Sequence, residues 1–345
     1  MIEPIRQARL KGARAAERIQ RILEVRQRIM ATHECVDVFD ALAWLDVRVV
    51  FKPLDGLLGA YIRGDQPGVM ISTKRPLSVQ RFTAAHELGH AVLAHEPSLD
   101  SPNVLRRAAY NLKTPKISGF ASYLQEIEAD AFAGSFLLPN WLISHHARKH
   151  GWSRGDLSNE DTVYQLALRC GASYQATVWA LERNGIIDEQ ARGWLLNVQP
   201  KQIKHRIGHV AGAAETRNDA WVLNEGDGGA DIAINVGDTV TIALAQQAGA
   251  GYLWLPKAPP PSVLTKLDTM VLVESDCIGA PSMKRNFYRA EEQGVGSLAF
   301  EHKRPWESAS HEEVAFHLSI TTPEQGLSRA NRARLVQSRR DLNAS

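Results

Sequence analysis

The hydrophobic and polar positions of the 345-residue chain follow several different patterns in turn. From residue 5 to 30, apolar residues recur at helical spacing among many arginines, which predicts one amphipathic helix. Residues 46–73 consist of short β-rich runs separated by glycine and proline, which predicts a small meander. Two more helices are predicted, one from Ser78 to a stop at Pro97 and one over 123–139.

Residues 159–187 have the pattern of two short helices joined by a turn. Gly171 would form the turn, Ser173 would cap the second helix, and Gly185 would end it. DNA recognition is the alternative for such a pair. The second helix offers few cations, mainly Arg183, so we predict a helix–turn–helix-like packing unit instead.

Beyond residue 217 the pattern changes to at least six short strands separated by turn residues, which predicts an antiparallel sandwich. The polar, basic stretch before it is predicted to be a linker, and the Arg-, Ser- and Asn-rich end a flexible tail. The predicted divisions are 1–196, with the helix–turn–helix-like part at 156–190, then 197–216, 217–322 and 323–345.

Composition limits the class of protein. Hydrophobic residues make up 44% of the chain and charged residues 23%, which is typical of a globular protein. The net charge of +2 does not favour a nucleic-acid partner. No apolar run approaches the ~20 residues of a membrane span, and the first residues lack the apolar core of a signal peptide. We therefore predict a cytoplasmic protein without a membrane segment, and three distant cysteines that form no disulfide framework.

The segment 85–90, AHELGH, carries the candidate chemistry. Residues four apart lie on one face of a helix, so His86 and His90 would direct two imidazoles to one point. Glu87 beside them could take a proton from a water molecule, as in the zinc pattern His-Glu-x-x-His. The alternative is a chance match on a packed helix, and a third ligand distinguishes the two.

Two regions could supply that third ligand. His95 would point away from His86 if the helix continued, so we predict that it is structural or exposed. On the helix at 123–139, Glu126 and Glu128 lie about 200° apart, so only one of them can face a metal. Glu126 is preferred, because Asp130 is four residues further on.

Asp130 could accept the second N–H of a ligand histidine and so fix its tautomer.

Two segments, Arg81–His95 and the stretch EIEADAFAGSFLLP at 126–139, together resemble the ImmA/IrrE family of zinc metallopeptidases. The resemblance covers roughly residues 5–195. It implies an α+β, gluzincin-like core in which His86, His90, Glu126 and a water molecule bind zinc.

The resemblance also implies an activity. Members of this family cleave cytoplasmic regulatory proteins, typically helix–turn–helix repressors. Glu87 would be the general base of that reaction. A further donor should stabilise the oxyanion, and Tyr123 and His145 are both open candidates.

Residues 217–322 resemble the chagasin family, inhibitors of papain-like cysteine peptidases with an immunoglobulin-like fold. The segments that carry the resemblance are 234–254, 278–307 and 316–320. In that family three loops form a wedge that blocks the peptidase. Here the first loop, 247–252, keeps only the final glycine and aromatic residue of the family pattern, and the middle loop, 279–282, keeps one glycine. The third loop is intact, so the predicted partner-binding residues are Tyr252, Arg304, Pro305 and Trp306.

The sequence thus predicts a multidomain protein, a zinc metallopeptidase followed by an all-β binding domain. The tryptophans of the sandwich, Trp254 and Trp306, have an alternative role in core and loop packing. The sandwich could inhibit a papain-like peptidase or recognise the substrate. The rival hypothesis is a non-catalytic binding protein whose peptidase-like part is a relic or scaffold.

Overall fold

The computed structural model describes residues 2–32, 35–64, 66–95, 99–100, 120–208, 218–273 and 282–322. They fall into two compact units, the first within 1–145 and 166–196, the second within 146–165 and 197–323. An α+β part precedes an all-β part, as predicted. None of the helices in the described ranges is long and apolar enough to cross a membrane.

Ten α-helices lie in the described ranges, and all of them precede the strands of the sandwich. They are α1 (Ile2–Ile22), α2 (Val25–Thr32), α3 (Val38–Trp44), α4 (Leu77–Val92), α5 (Phe120–Leu137), α6 (Asn140–Lys149), α7 (Glu160–Arg169), α8 (Tyr174–Arg183), α9 (Glu189–Asn197) and α10 (Pro200–Ile207). The single helix predicted over 5–30 is wrong. Glu24 has a φ of 49°, in the left-handed region, and this ends α1 before α2 begins.

The first unit contains a four-stranded sheet. Its strands are β1 (Arg48–Lys52), β2 (Gly59–Ile62), β3 (Gly68–Ser72) and β4 (Leu99–Asp100), in the order β1-β3-β2-β4. β1 and β3 pair in parallel, so the predicted meander is wrong. The reason lies in burial: β3 carries the buried Val69 and Ile71 and takes a central position, whereas β1 is largely exposed and takes an edge.

Helix α4 crosses the interior of the first unit. Every side chain from Thr83 to His90 is buried, the polar ones included. The helix begins at Leu77 after Pro76 and ends at Val92, earlier than predicted. Ala94 follows with a φ of 53°, so the chain turns there. The predicted stop, Pro97, lies outside the described residues.

The pair α7 and α8 has the predicted turn chemistry. Gly171 and Gly185 have φ values of 59° and 66°, and the Ser173 hydroxyl accepts a hydrogen bond from the Ala176 N–H at 3.2 Å. The main cation of α8, Arg183, donates to the carbonyl of Gly134 at 2.7 Å, near the end of α5. This hydrogen bond gives Arg183 a packing role between α8 and α5.

The second unit contains a sandwich of two four-stranded sheets, ordered β5-β7-β10-β9 and β6-β12-β11-β8. The strands are β5 (Ala220–Leu223), β6 (Asp231–Asn235), β7 (Thr239–Gln246), β8 (Leu253–Pro256), β9 (Leu264–Val273), β10 (Ser282–Ala290), β11 (Gly294–Lys303) and β12 (Glu312–Thr321). Two edge strands, β5 and β6, pair in parallel with β7 and β12, so the predicted purely antiparallel pairing is wrong at these edges.

The stretch 197–216, predicted to be a linker, contains helix α10. Ile203 of this helix is buried, and Lys204 pairs with Asp219 at 2.8 Å within the second unit. One apolar residue per turn is therefore enough to dock a helix that looked polar in sequence. Residues 209–217 and the predicted tail, 323–345, lie outside the described residues, and the domain boundaries stay predictions.

Candidate metal centre

Helices α4 and α5 bring two imidazoles and a carboxylate together. The Nε2 atoms of His86 and His90 lie 3.0 Å apart. Glu126 Oε2 lies 3.3 Å from His86 Nε2, and Glu126 Oε1 lies 3.7 Å from His90 Nε2. Both histidines are buried, and the Glu126 side chain is 12% exposed.

These separations fit a tetrahedral metal ion. Ligand atoms about 2.0–2.1 Å from a zinc ion lie about 3.3 Å from one another. Glu126 Oε2 is buried and makes no hydrogen bond to any described residue, as expected for an oxygen reserved for a cation. The three side chains can hold a metal ion, and their two nitrogens and one oxygen suit zinc.

The close approach of α4 and α5 depends on small residues. A Cβ added at Gly89 would lie 3.1 Å from the Cβ of Phe132 and 3.2 Å from the Cα of Ala129, so a larger residue at 89 would push the helices apart. Ala129 and Ala133 are both fully buried in α5. Small side chains on both helices therefore set the distance between Glu126 and the histidines.

Asp130 lies against the first histidine. Its Oδ1 is 2.9 Å from His86 Nδ1, on the side of the ring away from Glu126. An Nδ1–H donated to this carboxylate leaves a lone pair on Nε2, the nitrogen that faces Glu126. The helical spacing of Glu126 and Asp130 thus brings both carboxylates to the same imidazole.

Glu87 is fully buried beside the two histidines on α4. A Cβ added at Gly59 would lie 2.9 Å from Glu87 Oε1, so the main chain of β2 borders this carboxylate. Only glycine allows the strand to approach so closely. Sequence reasoning did not single out Gly59, because a lone glycine in a strand pattern indicates a bulge or a tight bend equally well.

The second histidine has a different partner, which sequence reasoning missed. His95 Nδ1 lies 2.9 Å from His90 Nδ1, and its Nε2 lies 2.9 Å from Glu128 Oε2. His95 is 3% exposed and does not point away from the site. Of the two predicted alternatives, structural or exposed, the first fits this burial; the predicted direction was wrong because α4 ends at Val92, so the helical angle no longer applies.

The buried histidines favour their neutral form. Burial, together with the neighbouring His86 and His95, lowers the pKa of His90 to about 2. Burial also lowers the pKa of His95, although the hydrogen bond to Glu128 acts in the opposite direction. A neutral imidazole is the form that binds a metal ion.

The two candidates for oxyanion stabilisation stand on different helices. Tyr123 precedes Glu126 by one turn of α5 and is half-buried, whereas His145 lies on α6. Both assignments stay predictions.

The predicted partner-binding residues of the sandwich lie on two adjoining loops, which we call the loop end. The guanidinium carbon of Arg304 lies 4.6 Å from the ring centroid of Tyr252, and Arg304 Nε donates to the carbonyl of Ala250 at 3.1 Å. Pro305 is exposed, and Trp306 is 73% exposed. Residues 279–281 of the middle loop lie outside the described residues.

Two of the tryptophans of the sandwich, Trp254 and Trp306, differ in environment. Trp254 is buried in the core, and its Nε1 donates to the carbonyl of Ala245 at 2.8 Å. Its packing role is therefore the observed one. Trp306 remains on the surface, where its indole is available to a partner.

Known proteins resemble the two parts of the chain separately. Residues 44–182 match the family model of the IrrE N-terminal-like domain. Residues 233–320 match the model of the chagasin family peptidase inhibitor I42. The first part of the chain therefore resembles the IrrE/ImmA family and the last part the chagasin family, and the two predicted resemblances are confirmed.

Individual relatives are distant. "Uncharacterized immunity region protein 2" of Bacillus phage phi105 is 22% identical over 122 residues, which cover 35% of this chain and 70% of the phage protein. The cysteine protease inhibitor EhICP2 from Entamoeba histolytica is 20% identical, with a TM-score of 0.28, over 30% of this chain and 97% of its own. Amebosin is 18% identical, with a TM-score of 0.25, over 30% of this chain and 97% of its own.

Proposed function

We propose that this protein is a zinc-dependent endopeptidase whose chagasin-like domain binds a protein partner. The observation that carries the proposal is the convergence of His86, His90 and Glu126, whose facing atoms lie 3.0–3.7 Å apart. A match to a peptidase-type family over the same residues supports it.

The proposed chemistry is the hydrolysis of a peptide bond. Zinc, when bound, lowers the pKa of water toward ~7 and polarises the scissile carbonyl. His86, His90 and Glu126 would hold the ion, and Asp130 would keep His86 in the binding tautomer. Glu87 would take a proton from the attacking water and deliver it to the leaving amine.

The substrate that we propose is a cytoplasmic regulatory protein, specifically a helix–turn–helix repressor. The resemblance of 81–95 and 126–139 to the ImmA/IrrE family supports this class. For the sandwich we propose a protein partner, with a papain-like cysteine peptidase as the first candidate. The exposed Trp306 beside Arg304 supports a binding role, because such residues dominate protein interfaces.

The decisive experiment combines metal analysis with cleavage. Zinc-loaded protein is incubated with a helix–turn–helix repressor encoded beside its own gene, and the products are analysed by mass spectrometry. We expect a single cut, absent with the Glu87→Gln variant. A zinc-loaded wild type that cleaves neither the repressor nor any member of a random peptide library would favour the non-catalytic alternative.

A further inference from the structure

A polar relay supports the second histidine of the metal centre. It runs from His90 Nδ1 to His95 Nδ1 over 2.9 Å, and from His95 Nε2 to Glu128 Oε2 over a further 2.9 Å. Glu128 Oε2 then pairs with Lys11 Nζ at 2.6 Å. His90, His95 and Glu128 are buried, and only Lys11 reaches solvent.

The hydrogen bonds of this relay have one direction. If His90 Nε2 carries the lone pair that faces Glu126, the proton of the ring is on Nδ1. That N–H can then donate to His95 Nδ1, so His95 carries its own proton on Nε2. A Glu128 oxygen accepts the hydrogen bond from this Nε2–H, since a carboxylate oxygen is an acceptor. Each imidazole N–H of the relay therefore has one acceptor.

The backbone next to His95 is strained, and this conformation brings the His95 ring into contact with His90. Ala94 has a φ of 53°, a left-handed conformation that is unfavourable for a residue with a Cβ. The turn lets the His95 N–H donate to the carbonyl of His90 at 3.0 Å and brings its ring back to the site. A strained residue of this kind points to a functional constraint.

The far end of the relay comes from α1, which lies outside the region that matches a peptidase family. A Cβ added at Gly12 would clash with the main-chain oxygen of Glu128, so α1 and α5 pack in close contact at this point. This packing places Lys11 beside the Glu128 carboxylate. The N-terminal helix therefore contributes to the site as well as to the core.

We propose that His95 is a positioning residue, which fixes the ring orientation and tautomer of His90 through a relay ending on Glu128 and Lys11. The proposal rests on the metal site of the proposed function. His86 has the equivalent support directly from Asp130 at 2.9 Å. The two ligand histidines are thus oriented by two different devices, one carboxylate and one histidine–carboxylate–lysine chain.

The test measures zinc affinity of the full-length chain by competition with a chromogenic chelator. His95→Leu should weaken zinc binding about 10–100-fold, as loss of a residue that orients a ligand does elsewhere. His95→Asn should recover most of it, because its amide oxygen can accept from His90 Nδ1. Glu128→Gln should have an intermediate effect. With cobalt in place of zinc, the visible spectrum of His95→Leu should differ from that of the wild type, because the orientation of the His90 ring is no longer fixed.

Gln20→Leu is the matched control. Gln20 is buried on α1 and donates to the carbonyl of Phe136 on α5 at 2.8 Å, so the variant removes another polar link between these helices without touching the relay. Its zinc affinity should equal that of the wild type. Equal affinity in a folded His95→Leu, or an equal loss in His95→Leu and His95→Asn with none in Glu128→Gln, would overturn the relay. A wild type that binds no zinc would instead contradict the metal site itself.

Discussion

The metal centre and the loop end of the sandwich present their key residues in opposite ways. In the metal centre, His86 and His90 are buried on one helix and face Glu126 of a second helix, and Glu87 is buried beside them. At the loop end, Trp306 is 73% exposed and Arg304 contacts Tyr252 across two loops. The first arrangement suits chemistry, which needs fixed distances, and the second suits association, which needs accessible surface.

The two regions differ in how strongly their function depends on packing. The donors of the metal centre are held by helix packing at Gly89 and by buried hydrogen bonds, so most substitutions there should affect metal binding. The loop-end side chains contribute little to the core, so substitutions there should affect only the partner. Variants of the metal centre should therefore change metal binding, and variants of the loop end should change partner binding.

The largest expected effect is on cleavage. Glu87→Gln should keep bound zinc but reduce the cleavage rate by about three orders of magnitude, because the general base is lost. Steady-state rates with the repressor substrate, together with zinc content, measure this. A variant with wild-type turnover would show that Glu87 is not the base.

The next effect is on the metal itself. Glu126→Ala should lose stoichiometric zinc, since one of three protein ligands is removed. Glu128→Ala should retain zinc with a lower affinity, because Glu128 acts only through His95. Elemental analysis of both purified variants measures this. Metal loss in the Glu128 variant alone would reverse the assignment of the ligand.

A smaller effect is expected at the loop end. The double substitution Arg304→Ala with Trp306→Ala should weaken binding of the full-length chain to papain by more than ~2 kcal/mol, about 30-fold. Zinc content and cleavage should not change. If the wild type does not inhibit papain at high micromolar concentration, the partner is not papain, and the recognition of substrate becomes the favoured role of the sandwich.

The geometry of the metal centre was largely predictable because its determinants are local. The spacing of His86 and His90 needs only helical geometry, and the choice of Glu126 over Glu128 needed only the position of Asp130. The structure has Glu126 3.3 Å from His86 and Asp130 2.9 Å from the same ring.

The supports of His90 were not predictable for two physical reasons. His95 reaches the site through the left-handed conformation of Ala94, and nothing in the local sequence demands such a conformation for alanine. Lys11 reaches Glu128 through packing between helices that are more than a hundred residues apart in the chain. The same limit applies to the sheets, where β3 takes a central position because of burial rather than sequence order.

The remaining effect concerns the pH dependence of the stability of the sandwich, not metal or partner binding. Burial and the neighbouring carboxylate of Asp219 raise the pKa of Asp238 to about 7, while Asp238 accepts hydrogen bonds from the main-chain N–H groups of Asp219 and Asn235 at 2.7 and 2.9 Å. Asp238 precedes β7, and the loop of Tyr252 follows β7, so the two lie at opposite ends of an eight-residue strand.

The folded state holds the proton of Asp238 more tightly than the unfolded state, whose aspartate pKa is about 3.9. This contribution to stability is therefore complete below about pH 4 and is lost as the pH rises through about 7. Asp238→Asn should flatten the fall in unfolding free energy between pH 4 and 7, by on the order of 1 kcal/mol per pH unit. Urea unfolding at several pH values measures the slope. Partner binding at the loop end should be unchanged, because Asp238 and its hydrogen-bond partners lie at the other end of β7 from the binding residues. A parallel loss of partner binding would show that the sandwich couples stability and function as the metal centre does.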